Sequence, residues 1–182
     1  LAFVSEDRRG VGLLLDESIE LNIAITAMQV QGQFLKSISN IPFIHLEDKK
    51  AIREHALEMI EELDIRCTGP DQLIKRLSGG NQQKVCIARA ITLEPEILFV
   101  SEPTRGIDVG AKKIVLELLV KLNQKFGVTI VITSSELAEL RMISDRIAIV
   151  HKGKIEGVLP PDASDTDFGL MMAGEYEEKG VS

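Results

Sequence analysis

The sequence has few cysteines, and their spacing argues against a disulfide-bonded or zinc-binding protein. Cys67 and Cys86 lie nineteen positions apart, with no Cys-x-x-Cys pair and no pair of histidines nearby. We therefore expect two reduced, partly buried side chains. The three histidines, His45, His55 and His151, are also scattered, so we expect ordinary surface or core positions for them.

Long hydrophobic runs and an excess of positive charge are also missing. No apolar segment approaches the ~18 residues that a membrane span requires, and the first residues, LAFVSEDRR, lack the features of a secretion signal. The net charge is −7, from 21 Lys and Arg against 28 Asp and Glu, and no basic stripe stands out. We therefore expect a cytosolic protein without a nucleic-acid partner. With 182 residues, 45% of them hydrophobic, one domain is expected.

Two strings carry most of the chemistry that is present. Leu77–Lys84 reads LSGGNQQK, a Ser-Gly-Gly turn that opens a helix. Such a turn points free backbone N–H groups and the positive end of the helix dipole at an anion such as a phosphate. Ile97–Asp108 reads ILFVSEPTRGID and predicts an apolar strand that ends in a carboxylate. The distance between the two strings is typical of a βαβ unit.

Strand and helix patterns alternate after the first string. We predict a strand at EILFV, a helix over about 109–125, a strand at VTIVIT, a short helix at ELAELRMI and a strand at RIAIV. Apolar strands separated by helices favour a parallel sheet covered on both faces. HKGK at His151–Lys154 predicts a tight turn within a terminal antiparallel hairpin. Beyond Pro160 the sequence becomes acidic and Gly-rich, which predicts a loosely held tail.

The segment before the first string is predicted to be mostly helical. Leu1–Val4 has the pattern of a strand, and the string EDRRGVG that follows predicts a charged loop. A helical stretch, ESIELNIAITAM, then precedes an interruption through Pro42 and a long amphipathic segment from about 47 to 65. One apolar stripe recurs there at helical spacing, which favours packing on its own domain. Its members are Ile52, Ala56, Met59, Ile60 and Leu63.

Together, the two strings resemble the ATP-binding cassette (ABC) ATPases, whose signature motif is LSGGxQ and whose Walker B strand ends in a catalytic glutamate. The chain is most similar to the second, C-terminal cassette of tandem-cassette ATPases that energise uptake of ribose, galactose and similar monosaccharides. In those proteins PEDR, LSGGNQQK and EPTRGIDVGAK recur. This chain has SEDR at Ser5–Arg8, LSGGNQQK unchanged and SEPTRGIDVGAK at Ser101–Lys112.

The resemblance covers Leu1 to about Leu159 and implies an α/β fold. That fold is a P-loop NTPase core of the ABC type with a mostly parallel sheet, plus an α-helical signature subdomain. We expect a partial ATPase domain at 1–159, with the helical subdomain over about 14–92 and the Walker B core over about 93–159, and a tail at 160–182. No GxxxxGK[ST] phosphate-binding loop occurs in the sequence. We expect the N-terminal part of the cassette to be missing from this chain, which alone should not hydrolyse ATP.

For the signature, the resemblance implies contact with a nucleotide held by a different cassette. Ser78 would offer its hydroxyl, and Gly79 and Gly80 their N–H groups, to the γ-phosphate of ATP, with Gln82 as the last residue of the motif. A Cβ on either glycine would hold the backbone away from the phosphate. A plain helix N-cap is an alternative role for Ser78 that is compatible with this one.

For the remaining motif positions, the resemblance implies catalytic and metal-binding roles. Glu102 would orient or deprotonate the attacking water, and Asp108 would be the D-loop aspartate that links the two sites of a cassette pair. Glu6 occupies the position of the Q-loop glutamine, whose carbonyl helps to hold Mg²⁺ and whose loop touches the membrane subunit. A carboxylate there can still bind Mg²⁺.

Two departures from the family pattern weaken the site that this cassette would use itself. The position before Glu102, where the family has an aspartate that holds Mg²⁺ through water, is Ser101, a weak metal ligand. The switch-loop histidine that contacts the γ-phosphate aligns with Ser135, which is too short to replace it. We therefore expect a degenerate site of its own beside an intact signature that it supplies to a partner site.

The leading hypothesis is a nucleotide-binding subunit that couples ATP binding and hydrolysis to sugar import, with ATP and Mg²⁺ as cofactors of the complete protein. Its implied partners are a second ABC cassette, a multi-span permease and, indirectly, a periplasmic or extracellular sugar-binding protein. It would lie on the inner face of the cell membrane. Gly10–Leu15 is a candidate part of the groove that receives a permease helix, although buried packing explains its leucines equally well. Two alternatives are a non-transport ABC ATPase of the translation or repair type and a catalytically dead structural cassette. The sequence does not specify the sugar.

Overall fold

The computed structural model describes residues 1–38 and 41–175 and divides the chain into two compact units. The first unit is Leu1–Thr133, and the second begins at Ser134. Within the described residues, no helix combines the length and apolar character that crossing a bilayer demands.

The first unit contains a three-stranded parallel sheet in the order β1-β4-β5. Its strands are β1 (Ala2–Val4), β4 (Ile97–Ser101) and β5 (Thr129–Thr133). The register aligns Val4 with Val100, and Ser101 with Thr133. Because all three strands run the same way, their carboxyl ends meet at one edge of the sheet. The α/β fold with a parallel sheet is therefore confirmed.

The two faces of this sheet differ in burial. Leu98 and Val100 are buried in the core of the unit. On the opposite face, the cross-strand neighbours Phe3 and Val131, which flank Phe99, are 63% and 40% exposed. The expectation of a sheet covered on both faces is therefore wrong for the described residues, whose helices bury only one face.

Four α-helices and a hairpin complete the described part of the first unit. In chain order these elements are α1 (Ile19–Gln31), β2 (Leu35–Ile38), β3 (Ile41–Glu47), α2 (Lys49–Glu62), α3 (Gly79–Ile91) and α4 (Val109–Phe126). Side-chain oxygens of Ser18, Asp48 and Asp108 accept hydrogen bonds at the first turns of α1, α2 and α4, which fixes where each helix begins. Gly32 and Gly127 end α1 and α4 in the left-handed conformation.

Sequence patterns located these helices but missed the hairpin. The antiparallel pair β2–β3 occupies much of the interruption between α1 and α2, where no strand is predicted. The apolar stripe of α2 is confirmed: Ile52, Ala56 and Leu63 are buried, and Met59 and Ile60 pack against the core.

The second unit is a β-hairpin with two helices. Its elements are α5 (Leu137–Ile143), β6 (Ile147–His151), β7 (Lys154–Leu159) and α6 (Asp165–Ala173). Lys152 and Gly153 form the predicted tight turn, both with positive φ. The alternation of strands and helices predicts that RIAIV belongs to the parallel sheet. It does not, because β6 forms its ladder with β7 in a sheet of its own.

A loosely held tail beyond Pro160 is the wrong prediction for residues 165–173. There α6 begins at the N-cap Ser164 and ends at Gly174. Phe168 and Met171, three positions apart on one helix face, are buried in a cluster with residues of β6. The prediction relied on the acidic composition of this segment. It failed because burial of these two apolar side chains against β6 stabilises the helix. The rest of the predicted tail, 176–182, lies outside the described residues.

Candidate functional site

The signature turn forms the N-terminus of α3. Ser78 is the N-cap residue, in extended conformation, and its Oγ accepts hydrogen bonds from the Nδ2 and the backbone N of Asn81, at 3.0 and 3.4 Å. Gly79 and Gly80 are the first two helical residues. The first N–H groups of a helix have no acceptor within it, so this turn has the hydrogen-bonding geometry and dipole direction that suit a phosphate. Both Ser78 readings, N-cap and phosphate ligand, fit this geometry.

Gln82 lies behind the turn and not on its open side. Its side chain is buried, and its Nε2 donates to the carbonyl oxygens of Ile74 and Leu77, both at 3.2 Å. These bonds hold the short 3₁₀ turn that leads into Ser78. The contact of Gln82 with nucleotide remains a prediction, whereas its support of the turn is observed.

Both signature glycines are also required by contacts within this chain. A Cβ on Gly79 would lie 3.1 Å from Nη2 of Arg8 and 3.3 Å from the carbonyl oxygen of Gly106. A Cβ on Gly80 would lie 3.0 Å from the Cβ of Ala111, in the first turn of α4. The loop between β4 and α4 therefore packs so closely against the signature that a side chain on either glycine would require its neighbours to shift.

Arg8 joins the loops that follow β1 and β4. It is buried in a π-helical turn at Arg8–Gly12, and its Nη1 and Nη2 donate to the carbonyl oxygens of Arg105 and Gly106, at 2.7 and 2.8 Å. Burial, followed by the charge of Arg9, lowers the pKa of Arg8. In the sequence, Arg8 is visible only as part of the string SEDR, and no motif there predicts its role.

The Q-loop position is paired with the same loop. Glu6 Oε2 accepts a hydrogen bond from Nη1 of Arg105 at 2.9 Å. Both side chains are exposed, and with Asp7, Arg8, Arg9 and Gly106 they line a polar cavity of about 500 Å³. The carboxylate that the resemblance assigns to Mg²⁺ therefore has an arginine partner in this structure.

The carboxyl end of β4 carries the residues that the family resemblance assigns to Walker B. The Oγ of Ser101 accepts a 3.3 Å hydrogen bond from the Oγ1 of Thr133 on β5. Glu102 follows with φ of +44°, a left-handed conformation that is uncommon outside glycine and costs conformational energy. Its N–H donates to the carbonyl of Thr133 at 2.8 Å, which holds the strained residue at the sheet edge.

The predicted metal ligands do not form a metal site on their own. Across residues 1–38 and 41–175, no three His, Cys, Asp or Glu side chains come together as a candidate metal cluster. Ser101 has no charge to offer a dication, and Glu6 is paired with Arg105. The signature turn fits an anion, whereas these two residues alone do not fit Mg²⁺. Their metal-binding roles remain predictions.

The structure brings together part of the predicted site. Asp108 accepts a 3.0 Å hydrogen bond from the N–H of Ala111 as the N-cap of α4, in the loop that packs on the signature. Ser135 belongs to the second unit, which is described by itself. Cys86, on α3, is buried, and burial raises the pKa of its thiol to about 12, so it stays neutral and unreactive at physiological pH.

Comparison with known proteins identifies the family. The profile described as ABC transporter matches residues 4–105, more than half of the chain. The chain belongs to the ABC transporter family. The matched region runs from the last residue of β1 through the string LSGGNQQK and all of β4, so the family resemblance is confirmed.

Two curated relatives show the level of similarity. The ribose import ATP-binding protein RbsA of Halalkalibacterium halodurans is 42% identical over 89% of this chain and 30% of its own length. The nucleoside import ATP-binding protein NupA of Lactococcus lactis subsp. cremoris is 38% identical over 94% of this chain and 32% of its own length. The chain thus spans about a third of the length of the curated relatives that it matches.

Solved structures support the fold. The dimeric, post-hydrolysis structure of the ATP-binding cassette MJ0796 bound to ADP and Pi superposes with a TM-score of 0.67. It covers 90% of this chain and 63% of the other, with 23% sequence identity. At that identity the likeness shows a shared cassette fold.

Proposed function

We propose that this chain is part of the ATPase subunit of a monosaccharide importer, and that it forms the C-terminal cassette of a protein with two cassettes. The proposal is supported by the unchanged LSGGNQQK string and by relatives whose names state ribose import. A relative named for nucleoside import supports a second candidate substrate class. In either case the complete protein would couple ATP binding and hydrolysis to uptake across the membrane.

The observation that carries the proposal is the geometry of the signature turn. An exposed serine hydroxyl lies at the positive end of a 13-residue helix, and the N–H groups of the half-buried Gly79 and the buried Gly80 belong to its first turn, where a helix supplies no acceptor of its own. Phosphoryl transfer depends on positioning and on neutralising charge around the γ-phosphate. Ser78, Gly79 and Gly80 would bind the γ-phosphate of Mg-ATP held by the partner cassette, and Asp108 would link that site to this cassette's own.

The site that this cassette would use itself is proposed to be degenerate. Ser101 replaces a charged Walker B aspartate, and Ser135 replaces the switch-loop histidine. Glu102 would be the carboxylate that orients water, but with weaker metal binding beside it. The cassette would contribute more to its partner's site than to its own.

The proposed partners are a second cassette, a multi-span permease and, through the permease, a sugar-binding protein. The chain would act on the cytoplasmic side of the membrane. Within the proposed permease-binding segment Gly10–Leu15, Val11 and Leu14 are 76% and 41% exposed, whereas Leu13 is buried. Only the first two of these side chains are placed to meet a permease helix.

The experiment measures ATP hydrolysis by the full-length protein with its permease, comparing Ser78→Arg with Glu102→Gln. We expect Ser78→Arg to reduce the rate about 100-fold, because a long cation would block the phosphate-facing turn, and Glu102→Gln to reduce it less than about threefold. Ser164→Arg is the matched control, since Ser164 is another exposed N-cap serine. Equal losses from Ser78→Arg and Glu102→Gln would refute the proposed asymmetry.

Two further measurements separate the alternatives. Co-purification with a multi-span permease would exclude a translation or repair factor. Hydrolysis of Mg-ATP that depends on Ser78 would exclude a purely structural cassette. Failure of both results would remove the importer assignment.

A further inference from the structure

We propose that Arg8 is a positioning residue that fixes the signature turn to the loop between β4 and α4, so that both are presented together to the nucleotide. This inference rests on the proposed function, because it assumes that the signature turn binds phosphate. Arg8 itself would touch neither nucleotide nor metal. It would act through the backbone of Arg105 and Gly106, next to Gly79.

Arg8 makes a double hydrogen bond to the loop between β4 and α4. Two nitrogens of one planar guanidinium donate to two consecutive carbonyl oxygens, at 2.7 and 2.8 Å. A guanidinium presents its donors in a rigid fork, so it fixes both the position and the orientation of the peptide units that it binds. A lysine ammonium is a compact point charge and cannot reproduce this fork.

The side chain of Arg8 is buried. Arg8 is only 7% exposed, and its Nε is buried without a hydrogen-bond partner among the described residues. Burying a charged group is unfavourable unless strong hydrogen bonds compensate for the lost hydration. Within the described part of the chain, no carboxylate binds this guanidinium, which donates to two backbone carbonyls. This placement makes sense if the arrangement of those carbonyls matters.

The hydrogen-bonded pair of Arg8 and Gly106 contacts the signature turn at Gly79. Gly106 has φ of +66°, which turns its peptide in the left-handed conformation that glycine allows. Its carbonyl oxygen and Nη2 of Arg8 are the two atoms that approach the missing side chain of Gly79 most closely. The signature turn therefore packs directly on the hydrogen bond that Arg8 makes with the loop. A displacement of either partner would be felt at Gly79.

The turn that carries Arg8 is anchored to α3. Nη1 of Arg89, on α3, donates to the carbonyl of Gly12 at 2.8 Å, and its Nε donates to the Oγ1 of Thr26 at 2.6 Å. The turn at Arg8–Gly12 is thereby fixed to the helix that begins at the signature. By contrast, the Glu6–Arg105 ion pair is exposed, and such pairs contribute little. Arg8 is the stronger of the two links to the loop.

The test compares Arg8→Lys with Arg9→Lys in the full-length protein with its permease. Arg9 is the exposed neighbour and makes the matched control, because both changes keep the charge. We expect Arg8→Lys to lower kcat for ATP hydrolysis about tenfold or more, since misplacement of about 1 Å can cost up to about 100-fold. The KM for ATP should change less than about twofold, and Arg9→Lys should leave both parameters unchanged.

Each outcome has a defined meaning. A kcat for Arg8→Lys equal to that of Arg9→Lys overturns the inference, as does a loss that appears mainly in KM. Thermal unfolding, followed by circular dichroism, distinguishes positioning from simple support of the fold. If Arg8→Lys unfolds early but recovers full kcat at a temperature where it is folded, Arg8 is only structural and the inference fails.

The proposed function and this inference fail in different ways. Ser78→Arg, assayed in parallel, tests the function alone. If Ser78→Arg retains activity, the proposed function is wrong and the inference falls with it. If Ser78→Arg is inactive while Arg8→Lys is normal, the function stands and the positioning role of Arg8 is refuted.

Discussion

The signature turn and the carboxyl end of β4 are both motif regions of the first unit, but the structure treats them differently. The turn has the complete family motif and is held from behind by Gln82 and from the side by Arg8 and Gly106. The end of β4 has a neutral Ser101 and a strained Glu102. The difference is that the turn is fixed by close packing within this chain, whereas the end of β4 includes a strained backbone position.

The glycines show how that constraint arises. Under the proposed function, a Cβ on the open side of the turn would hold the backbone away from the phosphate. The packing of Arg8, Gly106 and Ala111 explains why a Cβ is unwelcome inside the chain as well. At Ser101 the hydroxyl accepts a 3.3 Å hydrogen bond from Thr133. A hydroxyl or a carboxylate can be accommodated more readily at an exposed sheet edge than a Cβ in a packed turn.

The largest effect on stability is expected from Gly80→Val. The added side chain would collide with Ala111, and overpacking of this kind costs about 1–3 kcal/mol. Gly110→Val is the matched control, because the nearest atom to a Cβ there is Oδ1 of Asp108 at 3.5 Å, and it should change stability by less than about 0.5 kcal/mol. Denaturant unfolding of the full-length protein measures both. Equal effects of the two variants would show that the packing constraint on the signature is absent.

A smaller effect is expected from restoring charge at the end of β4. Ser101→Asp should strengthen Mg²⁺-dependent ATP binding by this cassette about 3- to 10-fold, or about 0.7–1.4 kcal/mol, because the added carboxylate faces a dication. Ser37→Asp, at an exposed position of β2, adds the same charge elsewhere and should have no effect. Titration of ATP binding with Mg²⁺ gives the comparison. No gain from Ser101→Asp would mean that the serine is not what weakens this site.

The features of the fold and site that were predictable from the sequence are those that depend on contacts between residues close together in the chain. The Ser78 cap, the β4 strand and the Lys152–Gly153 turn were readable because their signals lie within a few residues. The hairpin β2–β3 and the helix α6 were missed, since pairing and burial with distant partners stabilise them. The role of Arg8 was also hidden, because its acceptors lie nearly one hundred residues away.

The smallest expected effect is on the pH dependence of stability, and it arises at the end of α3 opposite the signature. Near its C-terminal end, the Oγ1 of Thr92 donates to Ala88, so the Nε2 of His55 must donate to Thr92, at 2.9 Å. Burial lowers the pKa of His55 below its usual 6.5. The folded state therefore favours the neutral ring, and stability should fall as pH drops through 6.5 towards the lowered value.

Unfolding midpoints between pH 7.5 and 5.5 test this effect, which should be smaller than that of Gly80→Val. His55→Gln should flatten the pH dependence, whereas ATP hydrolysis by the variant should match the unmodified protein, since the signature lies at the other end of α3. An unchanged slope in His55→Gln would assign the pH dependence to another group.

The most direct test of the central claim is a structure of the full-length protein with ATP trapped between its cassettes. We predict that the Oγ of Ser78 and the N–H groups of Gly79 and Gly80 lie within about 3.2 Å of γ-phosphate oxygens held by the partner cassette. A closed, ATP-bound structure in which this turn faces solvent, with no phosphate contact, would contradict the account.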